Sequence, residues 1–244
     1  MTTGLSYNGS VSGTNSYVQQ IATMAVVAPT NPDFVIILPQ MITYAENRIY
    51  RDLDFLFTSI TTTAYGLSVG SRQIAVPSGT FVVPEQINLI TPSGITNPDF
   101  GNRIPLLPTT KEFLDATYGS GTYTGQPRYF CPFNDYTFLV GPYPDATYTC
   151  EIVGTYRPDS MSASNQTTFI SLYLPDIFIM ASMIYISAYQ RNFGRANDDP
   201  QMAVTYESQY QTLLKSAMME ENRKKFEAAA WSSQSPSSVA TPTR

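Results

Sequence analysis

Helical periodicity marks the first 56 residues of the chain. Asn15 or Ser16 can cap a short helix that runs through Val27 and ends at Pro29. Asn31 can then start a second helix, because the proline that follows it suits the first turn, where no backbone N–H is needed. Apolar residues recur along that second helix at spacings of three and four, namely at Ile42, Ala45, Ile49 and Leu53.

Two residues of the second helix need a separate interpretation. Pro39 lacks a backbone N–H, so it should kink the helix or divide it in two. Glu46 lies near the apolar stripe, where it could be a paired buried carboxylate or a catalytic acid. We expect instead a structural ion pair with Arg48, Arg51 or a neighbouring helix, because no second acid occupies a comparable position.

From about residue 57 to residue 160, apolar and polar residues alternate along the chain instead of recurring at helical spacing. Alternating and β-branched runs are separated by Gly and Pro turn signals, which predicts an antiparallel β-domain of six or so strands, a sandwich or a small barrel. The runs lie at residues 58–69, 72–77, 80–84, 86–92, 136–141 and 147–156.

One helix should interrupt this β-domain, over residues 111–118. Thr109 or Thr110 can cap it, and Glu112 is placed for a capping box with Thr109. Gly119 should end it.

Helical spacing returns in the last third of the chain. Pro175 and Asp176 should open an apolar helix over residues 177–189, closed by residues 192–194. Asp198 or Asp199, followed by Pro200, should open a long helix that reaches about residue 230. Its predicted buried stripe is Met202, Tyr206, Tyr210, Leu213 and Ala217. Its far end should be solvated, with the i,i+4 pairs Glu220–Lys224 and Glu221–Lys225.

The pattern therefore predicts an α+β fold, in which helical N- and C-terminal segments form one bundle around an inserted antiparallel β-domain. The expected parts are N-terminal helices at 1–56, the β-domain at 57–160, C-terminal helices at 161–230 and a flexible tail at 231–244. The tail is rich in Ser, Pro and Thr, a composition that cannot bury enough apolar surface to order by itself.

Composition narrows the function classes. The 244 residues include 14 Lys+Arg and 19 Asp+Glu, a formal net charge of −5. Charged residues make up 14% of the chain, against roughly 25% in an average soluble protein. This indicates either extensive subunit contact or a surface rich in Ser, Thr and Tyr. The acidic balance argues against avid DNA binding, whose affinity comes mostly from Lys and Arg on phosphates.

The chain contains no histidine, which excludes Ser–His–Asp and Cys–His hydrolases, HExxH metalloproteases and imidazole metal sites. Cys131 and Cys150 are too far apart for a CxxC motif and too few for a zinc site. They could be neighbours on adjacent strands, but we expect two reduced, half-buried thiols. No secretory signal or membrane span is visible, since the apolar run at 177–189 is shorter than a bilayer needs.

Other candidate sites have simpler explanations. The Gly-rich loop at 119–125 follows a helix and lacks the Lys of a phosphate-binding loop, so we expect a flexible loop with Tyr123 available for a partner. The Asp198–Asp199 pair could recruit a divalent cation, but acids before Pro200 are typical of a helix N-terminus. We therefore predict no catalytic residue, no cofactor and no metal ligand.

Residues near the end of the long helix could contact a partner. The cluster Arg223, Lys224 and Lys225 is either a solvated face or a contact for an acidic partner or DNA. Trp231, the one tryptophan, either packs on its own helix or anchors a partner. Seventeen tyrosines and thirteen phenylalanines also favour surfaces that assembly covers.

An ordered set of phrases resembles the bacteriophage head-to-tail adaptor family, also called connector or tail accessory proteins. The phrases lie at residues 42–54 (ITYAENRIYRDLD), 81–92 (FVVPEQINLITP), 127–130 (PRYF), 153–185 (VGTYRPDSMSASNQTTFISLYLPDIFIMASMIY) and 198–218 (DDPQMAVTYESQYQTLLKSAM). No single phrase is diagnostic, because the family has no catalytic signature, but the phrases occur in the expected order within a region of about residues 33–226.

The resemblance implies a non-enzymatic virion protein of the neck, assembled in the host cytoplasm. It implies a homo-oligomeric ring, commonly of twelve subunits, that docks under the portal protein, connects to a downstream nozzle or tail-completion protein and lets viral DNA pass without sequence-specific binding. Portal docking would fall to residues of about 200–244, including Arg223, Lys224, Lys225, Phe226 and Trp231. Tail-facing contacts would come from Tyr118, Tyr123, Tyr129 and Phe133.

Two other functions remain open at this stage. A tail component that binds or degrades host polysaccharide would stack sugars on its aromatic β-surface. A glycosidase, however, needs two carboxylates about 5–10 Å apart, and the acids of the β-domain show no such pairing in sequence. A DNA-binding packaging factor is opposed by the charge balance.

Overall fold

The computed structural model describes residues 4–9, 11, 13–95, 97–190 and 202–232, with the backbone alone described at 188–190, 202 and 226–232. The chain divides into two compact units. The helical unit combines Met1–Leu56 with Asp159–Arg244, and the β unit is Phe57–Pro158. The described residues form six α-helices and several sheets with antiparallel pairing in their longer strands, which agrees with the predicted α+β class.

Helices dominate the first unit, and strands dominate the second. The helices are α1 (Tyr17–Met24), α2 (Pro32–Asp52), α3 (Lys111–Thr117), α4 (Phe169–Tyr173), α5 (Pro175–Gln190) and α6 (Met202–Ser232). The strands are β1 (Leu5–Ser6), β2 (Asn15–Ser16), β3 (Ser59–Leu67), β4 (Gln73–Ala75), β5 (Val83–Thr91), β6 (Asn102–Pro105), β7 (Leu107–Pro108), β8 (Thr124–Gly125), β9 (Tyr129–Asn134), β10 (Thr137–Gly141), β11 (Tyr143–Pro144) and β12 (Tyr148–Thr155).

Helix α1 begins where the sequence predicts and ends three residues earlier. Ser16 is the N-cap, and its hydroxyl accepts a hydrogen bond from the Gln19 N–H at 3.2 Å. The helix ends at Met24 because Val26 adopts a φ of 55°, a left-handed conformation that interrupts helical geometry. The expected end at Val27 is therefore wrong.

Helix α2 confirms the predicted start and the predicted apolar stripe. The Asn31 side chain accepts hydrogen bonds from the N–H groups of Asp33 and Phe34 at 2.9 and 3.3 Å. The four stripe residues are all buried: Ile42, Ala45, Ile49 and Leu53. The helix is continuous through Pro39, so the alternative that this proline divides it is wrong.

Helix α5 begins at Pro175, as predicted, and packs against both α2 and α6. Its side chains are buried on several sides, as expected for an apolar helix between two others: Ile177, Phe178, Ala181, Met183 and Ile186. The predicted stop at 192–194 and the predicted start of the next helix at Asp198–Pro200 lie outside the described residues.

Helix α6 follows the predicted stripe in part. Tyr210 and Ala217 are buried, whereas Leu214 is buried more deeply than the predicted Leu213. The stripe also continues to Glu221, which is 5% exposed, so the expectation of a solvated far end is wrong for this residue.

The β unit contains two four-stranded sheets with the orders β4-β10-β9-β7 and β3-β12-β5-β6. Strands β3, β4, β10 and β12 confirm four predicted runs, and β5 joins the two runs at 80–84 and 86–92 into one strand. Strands β6, β7, β8, β9 and β11 were not predicted, because they are short or contain proline. Two of them, β8 and β11, pair with each other in parallel.

One hydrophobic core draws side chains from both four-stranded sheets. Leu67 of β3, Leu89 of β5 and Ile152 of β12 meet Ile74 of β4 and Phe138 of β10 in this core. The alternation in the sequence produces it, because successive residues of a strand point to opposite faces.

Helix α3 forms within the β unit as predicted, over Lys111–Thr117. Thr110 is its N-cap, and the Thr110 hydroxyl accepts from the Phe113 N–H at 3.3 Å. Since Thr110 and not Thr109 caps the helix, the predicted capping box between Thr109 and Glu112 is wrong.

Candidate functional site

A polar cluster joins α2 to α6 in the helical unit. The Arg48 guanidinium donates to Glu207 at 2.6 Å and lies 4.3 Å from the centre of the Tyr210 ring. The Tyr210 hydroxyl donates to Asp52 at 2.7 Å. Burial disfavours the charge of Arg48, but the hydrogen bond and charge of Glu207 outweigh burial and raise the Arg48 pKa. We call Arg48, Asp52, Glu207 and Tyr210 the α2–α6 cluster; it fixes the long helix against the rest of its unit.

The other end of α6 is held by a second set of charges. Glu221 accepts from the Lys224 ammonium at 2.6 Å and from the Leu56 N–H at 3.4 Å. Lys225 pairs with Asp54, and Lys224 also reaches Glu220 at 3.0 Å. The predicted Glu220–Lys224 pair is thus confirmed. The predicted Glu221–Lys225 pair is wrong, because Glu221 turns toward Leu56 and is neutralised by Lys224.

The predicted portal-docking residues differ in their surroundings. Arg223 is exposed, whereas Lys224 and Lys225 are half-buried in the ion pairs just described. Lys224 also lies 5.7 Å from the centre of the Phe169 ring, a cation–π contact. Phe226 and Trp231 belong to α6, where the structure describes the backbone but not the side chains. The predicted tail beyond residue 232 lies outside the described residues.

The four aromatic residues predicted to face the tail lie in two different environments, one half-buried and one exposed. Tyr118 and Tyr129 are half-buried and stack at 6.4 Å, packed against Leu114 and Cys131. Tyr123 and Phe133, in contrast, are 58% and 57% exposed. The structure therefore brings two of the four residues together in a small core and leaves two on the surface.

Phe133 borders a cavity of about 480 Å³ that the sequence did not reveal. The cavity lies beside the loop before β5 and the hairpin between β9 and β10. Its lining is aromatic and proline-rich with a polar rim: Phe81, Pro84, Pro132, Phe138, Asn134 and Asp135. The sequence signal was weak, because these residues come from segments about fifty positions apart.

Phe100 is a second surface residue that sequence reasoning missed. It is the last residue of a 3-10 turn, Pro98–Phe100, that lies between β5 and β6, and it is 81% exposed. A single aromatic in a turn shows no periodicity, so the pattern offered no means to find it.

Glu46 is buried, and no cation among the residues that the structure describes forms an ion pair with it. It accepts from the Met161 N–H at 3.1 Å and from the Thr168 hydroxyl at 3.0 Å, and it is 1% exposed. Burial raises its pKa, although hydrogen bonds from Ser160, Thr168 and Met161 oppose that shift. The predicted ion pair with Arg48 or Arg51 is wrong, because Arg48 pairs with Glu207 and Arg51 bonds the Asn47 carbonyl. Glu46 instead fixes the segment that leads into α4.

Two acids of the β unit, Glu151 and Asp115, form ion pairs. Arg103 donates to Glu151 at 2.9 Å, and the Asn88 amide donates to the same carboxylate at 2.9 Å. Burial would raise the pKa of Glu151, but these two hydrogen bonds and the Arg103 charge lower it. Lys111 and Arg72 similarly lower the pKa of Asp115. A glycosidase acid needs the opposite shift, since it must stay protonated near neutral pH.

Both cysteines are free and buried, at 2% and 0% exposure. The expectation of reduced thiols is confirmed, while their burial is complete and not partial. Cys131 lies on β9 and Cys150 on β12, in different sheets, so the alternative of adjacent strands is wrong. Burial raises the pKa of both thiols, that of Cys150 to about 12.

The remaining candidates add no chemistry among the described residues. This part of the chain holds no group of three or more Cys, Asp or Glu side chains that could bind a metal ion. The Asp198–Asp199 pair lies outside the described residues. The loop at 119–125 ends in strand β8, which pairs with β11. None of the described helices is both long and apolar enough to span a bilayer.

Comparison with known proteins identifies the family. A comparison with the curated protein sequences finds no match. The family model described as SU10 adaptor protein matches residues 17–238, which include the whole β unit and most of the helical unit. The resemblance seen in the ordered phrases of the sequence is thereby confirmed. The chain belongs to the SU10 adaptor protein family, a family of phage head-to-tail adaptors.

Proposed function

We propose that the protein is a structural subunit, without catalytic activity, of a ring that joins the portal of a phage head to its tail. The observation that carries this proposal is the family match over residues 17–238, because it includes the β unit and most of the helical unit together. The protein would reside in the virion neck after assembly in the host cytoplasm.

Exposed apolar side chains support contact with other copies of the chain. Ile36 on α2 is 73% exposed, and Val204 and Met219 on α6 are 68% and 60% exposed. Such residues are unremarkable singly, but here they lie on two helices of one unit in a chain with few charges. We infer that the helices form a bundle whose outer faces meet neighbouring copies, in a ring of about twelve as the family resemblance implies.

Portal docking belongs in this proposal to the C-terminal part of the chain, residues of about 200–244. Among the residues predicted to dock, Arg223 is the one whose described side chain is exposed. Lys224 and Lys225 would serve by holding the end of α6 in place through Glu221 and Asp54. Phe226 and Trp231 remain proposed contacts on the same helix.

Tail contact belongs to the surface of the β unit. Its core joins two sheets, which supports a sandwich or small barrel with loops at its ends. Tyr123 and Phe133 are the exposed members of the predicted set, so they are the proposed contacts with the nozzle or tail-completion protein. Tyr118 and Tyr129 would support that surface from below.

Viral DNA would pass through the ring without specific binding. The 19 Asp and Glu residues outnumber the 14 Lys and Arg residues, and the resulting net charge of −5 disfavours tight contact with phosphates. A channel of this kind works best when contacts with DNA are weak, because each contact must break during ejection.

The test is to mix the purified chain with the portal protein of the same phage and examine the product by electron microscopy and mass measurement. We expect a ring of fixed stoichiometry on the portal. A chain that binds no portal, or that turns over a polysaccharide, would contradict the proposal.

A deletion separates the docking element from the ring itself. Removing residues 227–244 should weaken portal binding, whereas Tyr123→Ser, on the other unit, should leave portal binding unchanged and serves as the matched control. Undiminished portal binding by the truncated chain would show that the C-terminal segment does not dock.

A further inference from the structure

The two four-stranded sheets of the β unit have four edge strands, and three of them are protected against further pairing. Strand β4 has three residues, and β7 has two and ends in Pro108. Strand β6 contains Arg103 and ends in Pro105. Short length, charge and proline are the usual features that keep a sheet edge from adding another strand.

The fourth edge strand, β3, has none of these features. It runs for nine residues, Ser59–Leu67, with the sequence SITTTAYGL, which contains no charge and no proline. Four of the nine residues are β-branched, the type that favours extended backbone. An edge of this composition is suited to pairing with an added strand.

The register shows which backbone groups face the open side. The Tyr156 N–H donates to the Thr58 carbonyl, and β3 is antiparallel to β12 with Ser59 opposite Thr155 and Thr61 opposite Val153. Hydrogen-bonded and non-hydrogen-bonded pairs alternate in such a ladder. The N–H and C=O groups of Ser59 and Thr61 therefore point away from β12, and both residues are exposed.

An irregularity limits the open stretch. The register of β3 against β12 shifts beyond Thr62, opposite the step from Cys150 to Ile152. Just past it the Ala64 N–H donates to the Thr62 hydroxyl at 3.3 Å, so that donor is already used. The available edge is residues 59–62, which offers two outward N–H and two outward C=O groups.

We propose that residues 59–62 pair with an extended, uncharged segment of the tail component that contacts the ring, adding a strand to the sheet. This inference rests on the proposed function. The partner strand would be held by backbone hydrogen bonds to β3. Its side chains next to Ser59 and Thr61 would be β-branched or small.

A second copy of this chain is the less suitable partner. Among the described strands of the β unit, β3 is the one unprotected sheet edge that a second copy could offer. If β3 of one copy paired with β3 of another, the two strands would be antiparallel and related by a two-fold axis. Such an interface uses the same surface on both copies and is complete in a dimer. A ring of more than two copies needs two different surfaces, and the described sheet edges of the β unit offer no second surface that could pair with β3, which favours another protein as the partner.

Thr61→Pro tests the proposal. The substitution removes an outward N–H that the β12 ladder does not use, and a prolyl φ is compatible with an edge strand. Thr61→Val retains the N–H and the β-branched shape, so it is the matched control. Both variants are mixed with the portal and then with the tail component, and ring formation and tail attachment are measured separately.

The expected result is a folded Thr61→Pro chain that forms rings on the portal like the wild type but attaches the tail component about tenfold more weakly. Thr61→Val should match the wild type in both steps. Full tail attachment by Thr61→Pro would overturn the proposal. Loss of ring formation before the tail component is added would also overturn it, since the edge would then serve copies of the chain.

If Thr61→Pro does not fold, hydrogen exchange of the wild-type chain tests whether residues 59–62 pair with the tail component. The Ser59 and Thr61 amides should exchange rapidly in the ring on the portal and slowly once the tail component binds. Equal exchange before and after binding would overturn the proposal. Failure of the wild type to form a ring at all would instead refute the proposed function on which this inference depends.

Discussion

Arg48 of α2 and Glu207 of α6 form an ion pair at 2.6 Å, although 159 residues separate them in the chain. The Arg48 guanidinium also covers the Tyr210 ring at 4.3 Å, so one side chain contacts two residues of the long helix. This pair connects the N-terminal and C-terminal parts of the helical unit, which the β unit separates in sequence.

A double-mutant cycle on Arg48 and Glu207 should measure a coupling free energy of about 0.5–1 kcal/mol, because both side chains are partly exposed. Arg48→Ala alone should cost more than this coupling, since it also removes the contact with Tyr210. Urea unfolding of the four chains gives the numbers. Arg51→Ala is the control, because Arg51 bonds only the Asn47 carbonyl of its own helix among the contacts described for it. A second double-mutant cycle, on Arg51 and Glu207, gives the background coupling free energy. The prediction fails if the Arg48–Glu207 coupling free energy is no larger than this background.

Glu46 should make stability depend on pH in the direction opposite to an ordinary ion-paired acid. Its pKa is raised above the usual 4.5 by burial, so the folded chain binds the proton more tightly than the unfolded chain. The stabilisation is complete below pH 4.5 and is lost as the pH rises through the raised pKa. The wild type should therefore lose stability relative to Glu46→Gln as the pH increases, measured by urea unfolding at several pH values.

At low pH, where Glu46 is protonated, the Glu46→Gln chain should match the wild type to within about 1 kcal/mol, because the amide, like the protonated carboxyl, offers one acceptor for the Met161 N–H and one donor. Glu220→Gln, at a largely exposed acid of the same unit, is the matched control for the substitution itself. The prediction fails if the free energy of unfolding of the wild type, relative to that of Glu46→Gln, stays constant or increases as the pH rises. Burial would then not dominate the pKa of Glu46.

Glu151 should show the reverse pH dependence. Burial alone would raise its pKa, but hydrogen bonds from Asn88 and Arg103 lower it below 4.5 in the folded chain. The resulting stabilisation is present above the unfolded pKa and is lost as the pH falls through the lowered value. Glu151→Gln should be destabilised most above pH 5, and the difference from the wild type should shrink on acidification.

Glu85→Gln provides the comparison for Glu151, because Glu85 lies on β5 of the same sheet and is exposed. It should change stability by no more than about 0.5 kcal/mol. If Glu151→Gln is as stable as the wild type at neutral pH, the Arg103 and Asn88 contacts do not form in solution.

The two cysteines should resist thiol reagents until the chain unfolds. Both are buried and free, and burial raises their pKa, so little reactive thiolate is present at pH 8. Titration with an aromatic disulfide reagent should detect two thiols only in denaturant. Val69→Cys adds a thiol at a position that is 62% exposed, and this variant should react promptly with one equivalent while folded. Prompt reaction of the wild-type chain would show that one sheet opens.

The sequence predicted the local elements well where neighbouring residues decide them. The start of α2 follows from an Asn side chain that reaches N–H groups two and three residues ahead, and α1 begins at Ser16 by the same rule. Alternation along β10 and β12 placed their side chains in the core. The ordered phrases also identified the family that the comparison confirmed.

The tertiary structure alone decided the partners of the buried charges. Glu46 meets Met161 across 115 positions and Glu221 meets Leu56 across 165, so no local pattern contains the information. Likewise β3 is an exposed edge because β12 pairs with it on one side and no described strand pairs on the other. Local spacing determines which segments become helices or strands, whereas burial, charge pairing and edge exposure depend on which distant segments the packed core brings together.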